Sequence, residues 1–155
     1  MVLAMIQSPH STPRLTHVAV TLRLADPASD LLVRRIALLR DCVALARHRY
    51  PFEIAAACIL PSEFHLLCRL PEDAPMAPRL RLIRSAFARH CGAGDSAALW
   101  DPTVQEAIVP DTMLAARTRA VLDAPVRAGL VQRAEDWAWS SLHRRGAPRA
   151  DPVAA

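Results

Sequence analysis

The chain has 155 residues, with 19 basic and 15 acidic side chains and a formal net charge of +4. That length suits one domain with a real core, and no apolar run reaches the roughly 20 residues a membrane helix needs. Residues 1–12 lack the basic-then-apolar order of an export signal, so a soluble, reduced, cytoplasmic chain is expected. Every basic residue is arginine, whose planar fork matches phosphate oxygens. A pI near 9.4 is compatible with nucleic acid, but charge of this size does not by itself define a partner. Cys42, Cys58, Cys68 and Cys91 contain no Cys-x-x-Cys pair, which disfavours zinc ribbons and thioredoxin-type redox sites.

Residues 1–14 read as a flexible arm. Residues 17–24 alternate, with Val18, Val20 and Leu22 on one side, the period of a half-buried strand. Asp26-Pro27 is a helix start, and Leu32, Ile36, Leu39, Val43 and Ala46 form one stripe, so a helix is expected over 28–49, stopped by Pro51. Residues 52–60 and 63–70 are strand-length apolar runs joined by Pro61-Ser62, which predicts a hairpin. A loop follows over 71–78, then a helix over 79–91 with Leu80, Ile83, Phe87 and Cys91 aligned. Residues 92–98 read as a connection and 104–109 as a last strand. Asp111 is expected to cap a helix running to about Ala124, ended by Pro125. Residues 144–155 read as a flexible basic, proline-bearing tail.

The order strand, helix, strand, strand, helix, strand, helix predicts an α+β fold. It is a ferredoxin-like split βαβ sandwich over residues 15–143, an antiparallel sheet with helices packed on one face. Such a fold hosts many functions and selects none.

Three segments carry a more specific message. They are Ile59-Leu60-Pro61-Ser62-Glu63-Phe64-His65-Leu66-Leu67, Ala124-Pro125-Val126-Arg127-Ala128-Gly129-Leu130-Val131 and Asp136-Trp137-Ala138-Trp139-Ser140-Ser141. Together they resemble the REP-associated tyrosine transposases, HUH-type single-strand DNA enzymes. In that family the first segment reads Leu/Met-Pro-Asp/Asn-His-hydrophobic-His, and its two histidines hold a divalent metal. Here the first of those positions is Glu63 and the second is His65. On a strand, residues two apart share a face, so a Glu63 and His65 pair could still meet a hard ion such as Mg²⁺ or Mn²⁺. Two protein ligands rarely suffice, so the cofactor expectation is none, or one of those ions weakly held. The bland reading, that Glu63 and His65 pair with each other or with solvent at the hairpin's start, is preferred; if the two interact, the carboxylate would favour a protonated His65.

The resemblance places the family's nucleophilic tyrosine on Ala120, where a methyl group cannot attack phosphorus. Tyr50 is the only tyrosine in the chain and reads as a packing or surface residue. No catalytic residue is therefore expected. What the resemblance then implies is a degenerate, transposase-like protein that binds single-stranded or hairpin DNA without joining it. The candidate contacts are Arg81 and Arg84 on the second long helix, Arg127 beside the Pro-Val turn, and Arg144, Arg145 and Arg149 in the tail. Trp137 and Trp139 could stack on bases, but packing against the sheet is the preferred reading. Two alternatives stand beside it. One is a decayed scaffold or protein-interaction module with no DNA role. The other is a metal-dependent nuclease using Glu63, His65 and the nearby Glu72 or Asp73.

Overall fold

A computed structural model of the chain describes residues 14–93 and 95–143; the arm at 1–13 and the tail with Arg144, Arg145 and Arg149 lie outside the described residues. β1 (Leu15–Arg23) is the alternating strand, and its register against β3 (Glu63–Pro71) sets Val18, Val20 and Leu22 opposite Cys68, Leu66 and Phe64. β2 (Glu53–Ile59) pairs with β3, and β4 (Gln105–Val109) pairs with β1. All pairings are antiparallel and the sheet order is β2-β3-β1-β4, the order of a ferredoxin-like sandwich. A bulge between Ile54 and Ala56 shifts the β2 register by one residue. That shift puts Ala57 and Ile59 on the same side as Phe64 and Leu66, and Cys58 beside His65.

The expected first helix begins later and in two pieces, α1 (Leu31–Arg34) and α2 (Ile36–Arg49). Asp26 folds back first, its Oδ1 accepting from the Ala28 N–H at 2.9 Å, an Asx turn that competes with helix initiation. Arg35 then leaves helical geometry at φ −114°, ψ 43°. The stripe survives the break, because Leu32, Leu39, Val43 and Ala46 are all buried in the main core. α3 (Ala77–His90) carries Pro78 in its first turn, where the missing N–H has no partner to lose. Its Leu80, Ile83 and Phe87 meet the α2 stripe and the sheet. Trp100, 1% exposed, closes this layer behind the short α4 (Ser96–Leu99): its ring meets Phe87 edge-on at 5.7 Å and its indole N–H donates to the Arg84 carbonyl at 3.0 Å.

The two long helices α2 and α3 thus cover one face, and the C-terminal helices add cover to the other. α5 (Leu114–Leu122) follows a single 3₁₀ turn at Asp111–Met113, and α6 (Ala124–Arg127) starts one residue later. Val121 and Ala124 join Ala19, Ala56, Cys58, Leu60 and Leu67 in a second, smaller core. Pro125 therefore opens a helix instead of ending one. α6 closes through Gly129 at φ 77°, with Gly129 N–H donating to Val126 O at 3.0 Å and Leu130 N–H to Pro125 O at 2.9 Å. That is a Schellman closure, which needs a residue tolerant of positive φ.

The chain then returns to the outer edge of β2. Trp139 O accepts from the Ile59 N–H at 2.9 Å, Ser141 N–H donates to Ala57 O at 2.9 Å, and Ser141 Oγ accepts from the Ala57 N–H at 2.9 Å. The Trp137 indole donates to Ile59 O at 2.8 Å, and Trp139 packs on the main core under the Arg40 guanidinium. Both tryptophans hold the sheet edge. Among the described residues no helix is long and apolar enough to cross a membrane.

Candidate functional site

The register places Cys58, His65, Thr21 and Gln105 in one row across the sheet, on the face that α5 and α6 partly cover. His65 Nδ1 lies 3.2 Å from Thr21 Oγ1 and His65 Nε2 lies 2.9 Å from Glu63 Oε1. Arg23 Nε donates to Glu63 Oε2 at 3.2 Å. The four side chains form a continuous polar chain, Thr21–His65–Glu63–Arg23. A carboxylate can only accept, so Nε2 carries the proton that Glu63 receives; the Thr21 hydroxyl donates to Nδ1 of a neutral ring or accepts from Nδ1 of a charged one, so a neutral imidazole satisfies both contacts.

The titration behaviour agrees. Burial of His65 pushes its pKa below the usual value and outweighs the pull of the Glu63 carboxylate; the Arg127 and Arg23 charges push the same way. The expectation of a protonated His65 is thereby corrected, because desolvation of the ring exceeds its attraction to one carboxylate. For Glu63, burial alone would raise the pKa, but the hydrogen bonds from His65 and Arg23 and the Arg23 charge hold it below the ordinary range.

Glu63 and His65 bring two donor groups together through the polar chain, and among the described residues no group of three His, Cys, Asp or Glu is placed to hold a metal. Glu72 and Asp73, the carboxylates considered for a nuclease, follow β3 at Pro71, the opposite end of the strand from Glu63.

Over the His65 row, α5 and α6 leave a small cleft of about 230 Å³. Thr21, His65 and Gln105 line it from the sheet; Ala120 and Arg117 from α5; Arg127 from α6; and Arg23 from the end of β1. No acidic residue is among its lining residues. Arg127 is fixed at its edge by an Nη1–H bond to Ala120 O at 2.7 Å. Ala120 and His65, far apart in sequence, thus face the same hollow. A wider groove of about 1140 Å³ runs along α5 and shares Arg127, but Asp111, Asp123 and Glu135 alternate there with Arg119 and Arg133. It has neither His65 nor a single sign of charge.

Of the three sequence-chosen arginines that lie among the described residues, Arg81, Arg84 and Arg127, Arg127 lines the His65 cleft. Arg81 and Arg84 ride on α3, in the layer across the sheet. Arg81 is exposed beside Arg49 and Tyr50, whereas an Arg84 Nη2–H donates to Asp101 O at 3.5 Å. Tyr50 lies in that same layer with Arg79 over its ring at 5.9 Å, so it is nowhere near His65. Thr21, Arg23, Gln105 and Arg117 were not picked out. The alternation of β1 already set Thr21 and Arg23 opposite the Val18, Val20 and Leu22 face, but only the strand register shows that they meet His65 and Glu63.

A small antiparallel sheet with a histidine-bearing central strand thus faces a C-terminal helix across a basic cleft, an architecture shared with a solved transposase structure. The chain is 30% identical over 126 residues to the REP-associated tyrosine transposase of Escherichia coli, covering 80% of this chain and 74% of that one. It is 31% identical over 137 residues to a candidate REP-associated tyrosine transposase of Haemophilus influenzae, covering 80% and 78%. The solved structure of the REP-associated tyrosine transposase bound to a REP hairpin superposes with a TM-score of 0.80 at 26% identity, covering 94% of this chain and 88% of that one. No protein-family model matches the chain. The chain belongs to the REP-associated tyrosine transposase family.

Proposed function

We propose that this chain is a DNA-binding member of its family that holds single-stranded or hairpin DNA by the backbone and does not form a covalent link to it. One observation carries the reading: Ala120, where the family motif places a tyrosine, lines the same acid-free cleft as His65, Arg117 and Arg127. Arginine N–H groups donate to phosphate oxygens in paired, charge-assisted bonds, and Thr21 and Gln105 add a hydroxyl and an amide on the sheet side. No hydroxyl stands at residue 120 to displace a strand. The solved relative carries a REP hairpin, which supports a hairpin as the probe. Backbone contacts of this kind give affinity that falls with salt and do not read sequence.

The test is to incubate the purified chain with hairpin and single-stranded oligonucleotides, with and without Mg²⁺ or Mn²⁺. Binding is measured by fluorescence anisotropy and covalent capture on a denaturing gel. Salt-sensitive binding with no adduct is expected. A protein–DNA adduct from the unmodified chain would overturn the inactive reading. No binding to either probe at low salt would leave a scaffold without a DNA role.

A further inference from the structure

Within that DNA-binding reading, we infer that the Ala120 cleft takes the phosphate monoester at a DNA strand end in preference to an internal phosphodiester. Size is the first ground. A cleft of about 230 Å³ is on the scale of one phosphate with part of its sugar. Residue 120 presents only a methyl group, so the space that a larger side chain would occupy belongs to the cleft.

Charge is the second ground. Arg23 already pairs with Glu63 at 3.2 Å. Arg127 is held by the neutral Ala120 carbonyl, and Arg117 is exposed, with no acid lining the hollow beside it. Two guanidinium charges therefore face a cleft that has no carboxylate among its lining residues. A phosphodiester carries one negative charge and would leave half of that unmatched, whereas a phosphate monoester carries about −1.5 to −2 at pH 7. His65 lines the same cleft, and burial holds its pKa below the usual value. The hydroxyl of Thr21 and the amide of Gln105 lie on the sheet side of the cleft.

The experiment uses the full chain and one hairpin oligonucleotide made in three forms: hydroxyl at both ends, 5′-phosphate, and 3′-phosphate. Dissociation constants are compared by anisotropy at fixed salt. One phosphorylated form should bind about tenfold tighter than the hydroxyl form, the scale of one added charge-assisted contact, and which form does so identifies the strand end. In Ala120→Phe, which fills the cleft, that ratio should fall to about one, and in Arg117→Ala, an exposed change that does not threaten folding, it should drop severalfold. Equal affinity of the unmodified chain for all three forms would overturn the inference while leaving backbone binding intact. So would a ratio that persists in Ala120→Phe. If none of the three forms binds, both the inference and the reading beneath it fall.

Discussion

Arg117→Ala isolates the cleft's electrostatics with little structural side effect, because Arg117 is exposed and lines the cleft from α5. Three arginines line the hollow, but Arg23 is paired with Glu63, which leaves Arg117 and Arg127. If each neutralises one phosphate charge of a single strand, the slope of log affinity against log salt is about −0.7 per contact, or roughly −1.4 in all. Raising salt from about 50 to 200 mM should then weaken binding about 7-fold, and only about 2.6-fold once one contact is removed. Anisotropy titrations of a labelled single-stranded or hairpin probe at five or six salt concentrations resolve the two slopes. Arg81→Ala is the control, since Arg81 lies on α3 in the opposite layer; it should leave the slope at its starting value. An unchanged slope in Arg117→Ala, or an equal reduction in Arg81→Ala, would show that DNA does not lie along this cleft.

Three further outcomes follow from the geometry. Ser141→Ala removes the acceptor for the Ala57 N–H, a fully buried group; chemical denaturation should show a loss of about 1–3 kcal/mol, with Tm falling roughly 2–4 °C per kcal/mol. Gly129→Ala meets no atom within 4 Å but keeps φ at +77°, so a loss of about 1–2 kcal/mol is expected from backbone strain alone, with Gly129→Asn costing less. Stability should also fall with acidification in two stages. His65 titrates below its ordinary value, so the unfolded chain takes up a proton that the folded chain refuses, and stability drops as pH falls below about 6.5. Glu63 is likewise held low, so its contribution is present above about 4.3 and is lost as pH falls through its lower folded value. Denaturation midpoints in His65→Gln should be flatter between pH 7 and 5; an unchanged profile there would refute the neutral-histidine assignment.

Much of the frame could be read from residue order. The Val18, Val20, Leu22 alternation and the Leu32 to Ala46 stripe named the strand, the helix and the faces they bury, since periodicity records one-sided burial directly. The Pro61-Ser62 hairpin likewise announced that Glu63 and His65 begin a strand. Local signals failed where tertiary contacts decide. The bulge at Ala55 shifts the β2 register, and nothing in a run of alanines marks it. Pro125 read as a stop because proline cannot continue a helix, yet it serves equally in the first turn of a new one. The site was half visible. Glu63, His65, Ala120 and Arg127 were found through motif spacing, but Thr21, Arg23, Gln105 and Arg117 enter only through pairing between strands and the placement of α5. Arg81 and Arg84 lie on α3, across the sheet from Arg127, a separation that one-dimensional charge does not express.

The ribbon at residues 137–141 has a kinetic meaning. Its bonds to Ala57 and Ile59 close loops 84 and 78 residues long, so they form late and slow the search for the native topology. Until the ribosome has delivered Ser141, the outer rim of β2 offers bare amides and carbonyls to any neighbouring chain, the template from which aggregation starts. Misassembly risk is thus highest before residues 137–141 are in place, and a chaperone that shields β2 would be of most use to this protein then.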